Sequence, residues 1–185
     1  MKYFRIAAVL LAVSMVGVLA GSAPTFAAAR GHVATASAAR QAKSISFAGS
    51  YSGTASLLFS GSKIKIVSVS GKGTSSVIGA STVSATGSGT EGSSECVPFK
   101  GTGSIKGKKG TLALSTSLSM SKGCANAESG PVTVTITGKA TVTKGTGGLK
   151  GAKGTLKISG KLKLKNTTDS QSGSFTGAVT GKLTT

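Results

Sequence analysis

Residues 44–60 read SISFAGSYSGTASLLFS, with apolar residues and glycine on odd positions and serine or threonine on even ones, Ala48 and Leu58 excepted. A period of two means a strand with one buried face, because successive side chains point to opposite sides of a sheet. A strand of this length bends, and the inward glycines Gly49 and Gly53 are where it can curve without a side chain in the way. Gly61-Ser62 then reads as a hairpin turn. The next segment begins with Ile64 and Ile66 on even positions and moves to Val67, Val69 and Gly71 on odd ones. That slip of parity predicts a β-bulge at Ile66-Val67.

The same logic continues along the chain. After Gly71-Lys72-Gly73, the residues Val77, Ile78 and Gly79 predict a bend, and Val83, Ala85 and Gly87 a further strand. Residues 91–98 read as a loop holding Glu91, Glu95 and Cys96. Leu112, Leu114, Thr116, Leu118 and Met120 share one face, and residues 122–131 form a second loop with Cys124 and Glu128. Val132, Val134, Ile136, Gly138, Ala140 and Val142 give a clean strand. So do Leu156, Ile158, Gly160, Leu162 and Leu164, and then Phe175, Gly177, Val179, Gly181 and Leu183.

Seven or eight strands joined by short connections, with no helical period, predict an all-β fold: a single small antiparallel barrel of about eight strands. A two-layer β-sandwich is the alternative. The barrel is favoured because glycine-bent strands suit a curved sheet, and closure removes edges open to aggregation. An internal echo punctuates the pattern. Residues 100–115, KGTGSIKGKKGTLALS, return as KGTGGLKGAKGTLKIS at 144–159. The echo occurs once, which argues against a solenoid.

The first segment differs in kind. Lys2 and Arg5 precede an apolar run over residues 6–19, then Pro24 and the small residues Ala27, Ala28 and Ala29. This is the order of a bacterial-type signal peptide over residues 1–29. The run is shorter than the roughly 20 residues of a spanning helix. The expectation is a secreted or envelope-associated protein with no transmembrane span after cleavage. Residues 30–43 read as a flexible basic lead-in, which holds His32, the only histidine. The barrel is expected over residues 44–185. In this setting Cys96 and Cys124, the only cysteines, are expected to form a disulfide. On the chain-entropy model the bridge stabilises the fold by about 3–4 kcal/mol.

Several chemistries lack their residues. A GxGxxG string at Gly87, Gly89 and Gly92 is followed by Ser93-Ser94-Glu95-Cys96, which opens no helix to face a phosphate. With its sole histidine in the lead-in, the body holds no Ser–His–acid set, and two cysteines without a histidine beside them make no usual zinc site. No catalytic residue, metal or cofactor is assigned. Glu95 and Glu128 are the carboxylates that a Cys96–Cys124 bridge would draw together.

Charge is the strongest functional signal. The chain carries 22 Lys and Arg against 4 Asp and Glu. Such a field favours encounters with polyanions. Lys157, Lys161, Lys163 and Lys165 alternate with the apolar face of one strand, and Lys150, Lys153 and Lys182 are expected near them. The expected partners are an anionic cell-wall polymer, an acidic lipid or extracellular DNA, bound by charge neutralisation. Sequence-specific nucleic-acid readout is not expected. The chain has no Trp, and Tyr51 falls on the buried face, so exposed stacking platforms are lacking. The inward side is apolar, with Phe47, Tyr51, Phe59 and Phe175 its largest members. A filled interior is expected, with a hollow one lined by these four as the alternative.

Residues 143–156, TKGTGGLKGAKGTL, resemble the GGTG-x-F-x-x-A-x-G motif of the allene oxide cyclase and dirigent barrel superfamily. The matching residues are Gly147, Gly148, Ala152 and Gly154, with Leu149 in the place of Phe. Residues 71–82, GKGTSSVIGAST, resemble the glycine-rich segment that precedes this motif in bacterial secreted relatives. The resemblance implies an eight-stranded antiparallel barrel and export. Enzymes of that superfamily place polar residues inside the barrel for cyclisation or radical coupling. No inward acid, Arg or His matches them here, so a cyclase or isomerase acting on a small hydrophobic molecule, or a carrier of one, is the alternative to polyanion binding.

Overall fold

The structure, a computed structural model, describes residues 43–185 other than 93, 128 and 129. The expected signal segment, most of the lead-in with His32, and Glu128 lie outside the described residues. The strands are β1 (Ser44–Ser60), β2 (Lys63–Ser75), β3 (Gly79–Thr90), β4 (Cys96–Gly107), β5 (Gly110–Thr116), β6 (Ser121–Ala125), β7 (Val132–Gly145), β8 (Lys153–Leu164) and β9 (Ser170–Thr184).

Every pairing is antiparallel. The hydrogen-bonded order β3-β2-β1-β9-β8-β7-β5-β4 is closed by β3 pairing with β4. This is an eight-stranded antiparallel barrel, with β6 as one extra short strand. β5 and β6 pair in turn with the same two neighbours, β4 and β7, so together they make one interrupted stave.

The alternation predicted for β1, β7, β8 and β9 is the burial pattern observed. The bulge sits where parity slips: Ser56 faces Ser68 and Leu57 faces Ile66, which leaves Val67 extra and 45% exposed.

Pairing with a distant strand extends some elements past their local signals, and one predicted face is cut short. β2 runs through Gly71 and Gly73 to Ser75. Cys96 to Pro98, expected in a loop, pair with Lys122 to Cys124, also expected in a loop. Leu118 and Met120, expected to continue a buried face, occupy the turn that interrupts the stave, with Leu118 exposed.

Inward glycines of β1 and β2 have a second use. Tyr51 lies across Gly49 and its opposite residue Gly73, where a Cβ would fall 2.9 Å from the Tyr51 Cε2 and 2.7 Å from its Cδ1 respectively. Phe175, opposite Gly53, covers Gly71 in the same way, with its Cζ 2.7 Å from where a Cβ would stand. An aromatic ring over a cross-strand glycine restores the burial that the missing side chain gives up.

The larger core cluster fills one end of the barrel. Phe47, Tyr51, Ile105, Leu112, Leu156 and Leu183 lie in it, and Ile78, Leu149 and Ala152 from the connecting turns plug it. A smaller cluster, Ala55, Leu57, Leu162 and Leu164, lines the other half.

Candidate functional site

Two surfaces of the barrel can do chemistry: a basic outer wall and a hollow half. The wall follows from β8, whose inward residues fix its outward ones. Lys153, Lys157, Lys161 and Lys163 are all exposed. Lys182 of β9 lies opposite Thr155, one step from both Lys153 and Lys157. Lys150 sits in the turn before β8 and Lys165 directly follows the strand, both exposed. The seven lysines singled out by sequence therefore surround one strand.

Cross-strand register adds two that sequence spacing does not reveal. Lys139 of β7 stands directly opposite Lys157, and Lys122 of β6 stands opposite Thr137. Like charges directly opposed on one face destabilise a sheet. The described carboxylates lie in loops at the end remote from the filled core: Glu91 and Glu95 between β3 and β4, and Asp169 between β8 and β9, in the same connection as Lys165. Outward rows of serine, threonine and lysine are the reverse of the apolar outer band of a membrane-spanning barrel.

The interior departs from the filled core expected of it. One half is packed, while the other encloses a cavity of about 940 Å³ that opens between Glu91, Glu95, Asn126 and Thr167. Its wall includes Ala55, Leu57, Ile64, Val69, Val134 and Leu162. The space comes from inward residues too small to reach the axis, among them Ala85, Gly101, Gly103 and the opposed pair Gly160 and Gly177.

Of the four residues named for a hollow interior, Tyr51, Phe59 and Phe175 line this cavity, whereas Phe47 is buried in the packed half. Phe47 lies too far toward the plugged end of β1. Two polar groups at the cavity wall are already engaged. The Tyr51 hydroxyl is 3.3 Å from Ser81 Oγ, which donates to the Gly79 carbonyl. The Thr116 hydroxyl donates to the Lys139 carbonyl at 2.8 Å and pairs with Ser121.

The Cys96–Cys124 disulfide is present, with a Cα–Cα distance of 4.1 Å. It joins directly opposed residues of β4 and β6. Their neighbours Val97 and Gly123 line the cavity, so alternation puts the bridge on the outer face. It brackets the cavity mouth rather than forming part of it. Glu95 adjoins this bridge and is exposed.

The fold and this geometry define a closed antiparallel barrel with a basic outer wall and one hollow end. Compared with protein-family models, curated proteins and solved structures, the chain matches none.

Proposed function

We propose that this is a non-enzymatic, exported barrel that binds an anionic surface or polymer through its lysine-rich wall. The observation that carries the reading is Lys139 directly opposite Lys157, flanked by Lys153, Lys161, Lys163 and Lys182, with the described carboxylates kept to the far-end loops. Opposed lysines repel in the free protein, and an anion seated between them relieves that repulsion.

The partner is an anionic cell-wall polymer, an acidic lipid surface or extracellular DNA. Binding releases counterions, so affinity falls steeply as salt rises. The test is retention on heparin resin and on isolated wall polymer across a salt series, for the parent and for a Lys139→Glu, Lys157→Glu, Lys161→Glu variant. The variant should elute at markedly lower salt. Retention that ignores salt, or a variant that elutes with the parent, would sink the proposal.

The cavity favours a second reading, that the hollow half carries a small apolar molecule. Its volume lies within the roughly 300–1,000 Å³ typical of ligand pockets. The resemblance to the allene oxide cyclase and dirigent superfamily belongs with this reading. For a cyclase or isomerase in this half, replacing Tyr51, Glu95 or Glu128, the last outside the described residues, should abolish turnover. Mass spectrometry of protein purified under native conditions tests the carrier reading. An apolar adduct, lost on Ala55→Phe, is expected, and an adduct-free protein that also fails to take up an apolar fluorophore would refute it.

A further inference from the structure

The outer wall is not uniformly basic. Register aligns four neighbouring strands into one rung: Lys72 stands opposite Ser52, Ser52 opposite Thr176, and Thr176 opposite Lys161. The adjacent rung runs Thr74, Ser50, Ala178, Ser159. These side chains are exposed, Ala178 being half-buried. Together they line a shallow trough on the outside of the barrel. Short side chains, Ser50, Ser52, Thr176 and Ala178, make its floor, and the long Lys72 and Lys161 make its banks. The banks are three strand spacings apart, about 14 Å.

The floor has hydrogen-bonding capacity to offer. Elsewhere on this wall hydroxyls bond to one another, Ser56 Oγ to Ser172 Oγ at 2.9 Å and Ser84 Oγ to Ser104 Oγ at 3.0 Å. No described residue bonds to the hydroxyls of Ser50, Ser52 or Thr176. Each hydroxyl can donate one hydrogen bond and accept two.

We propose that this trough seats a hydroxyl-bearing polyanion, a polymer whose sulfate, phosphate or carboxylate groups are separated by sugar or polyol units. The inference rests on the polyanion reading above and narrows it. Lysine alone does not distinguish one polyanion from another. The order lysine, hydroxyl, hydroxyl, lysine across the trough complements charge, hydroxyl, charge along such a polymer. A nucleic-acid strand would gain little from this floor, which offers no exposed ring for a base to stack on.

The test compares heparin with inorganic polyphosphate of matched charge, titrated into the intact protein at fixed salt. The double variant Ser52→Val, Thr176→Val removes both floor hydroxyls while keeping side chains suited to a strand. Its affinity for heparin should fall about tenfold and its affinity for polyphosphate by less than about twofold. Ser52→Val with Thr176→Ser, which restores one hydroxyl, should recover part of the heparin binding, and unchanged melting temperatures guard against misfolding. Lys72→Ala with Lys161→Ala should weaken both ligands and lower the salt slope by about two. Equal losses for heparin and polyphosphate in the hydroxyl variant, or no loss for either, would overturn this inference and leave charge-driven binding intact. Displacement of heparin by single-stranded DNA at equal charge would also overturn it. A parent protein that binds neither polymer would overturn both readings.

Discussion

The two copies of the KGTG…KGTL segment have most residues in common and follow different backbone paths. In the first, residues 101–107 extend along β3, the chain turns at Lys108-Lys109, and β5 returns. In the second, β7 ends at Gly145, a 3-10 turn spans Gly147–Leu149, and β8 begins at Lys153. Gly147 and Gly151 take φ of +61° and +82°, the left-handed region, which their counterparts Gly103 and Gly107 do not enter.

What survives the change of path is the set of anchors. Ile105 and Leu149 are buried, Leu112 and Leu156 are both 0% exposed, and Gly110 and Gly154 take nearly the same φ, +145° and +147°. The copies also touch: the Gly148 N–H donates to the Lys109 carbonyl and the Thr146 N–H to the Thr111 carbonyl, each at 2.9 Å. Glycine permits both paths, and the available partner selects one. The first copy has β3 beside it, while the second must plug the end of the barrel.

Substitutions at matched positions can break this comparison. The largest shared effect should come from the anchors, where Leu112→Ala and Leu156→Ala each cost about 3 kcal/mol in denaturant unfolding. A large difference between them would mean that the copies are not equivalent anchors. Ala152→Lys, which writes the first copy's residue into the second, forces a long charged side chain into a site 3% exposed. It should cost about 2–3 kcal/mol.

Gly107→Ala should cost about 2 kcal/mol, because its Cβ would stand 2.5 Å from Ile78 Cγ2 and 2.7 Å from the Ala80 carbonyl. The matched Gly151→Ala meets nothing within 4 Å and pays only for its left-handed backbone, about 1 kcal/mol. Lys108→Ala, at an exposed turn, should stay within about 0.5 kcal/mol by thermal unfolding. If Ala152→Lys proved as mild as Lys108→Ala, partner-selected paths would no longer account for the difference between the copies.

The same contrast separates what was legible in the sequence from what was not. β1, β7, β8 and β9 carry an uninterrupted period of two, and the slip at Ile66-Val67 marked its bulge, because these signals are local. Gly71 and Gly73 resemble turn residues, yet they lie inside β2 beneath Phe175 and Tyr51, whose rings come from other positions in the chain. Cys96 to Pro98 and Lys122 to Cys124 lack a strand pattern of their own and become strands by pairing with each other. The lysines of β8 were visible by alternation. Lys139, Lys122 and Lys72 join the wall only through register, which no single strand encodes. The cavity was legible only as the alternative to a filled core, because it is made by residues too small to fill the axis, and smallness on an inward face looks the same whether or not a facing side chain reaches across.

The pairing of β1 with β9 bears on the order in which the barrel can assemble. The first and last of the nine strands run side by side from Ser44 opposite Thr184 to Leu58 opposite Ser170. The residues that join them are the most distant in the described chain, and contacts of that separation slow folding. Until β9 pairs with it, one edge of β1 has no mate. Among the described strands the ring therefore stays open until β9 is in place beside β1.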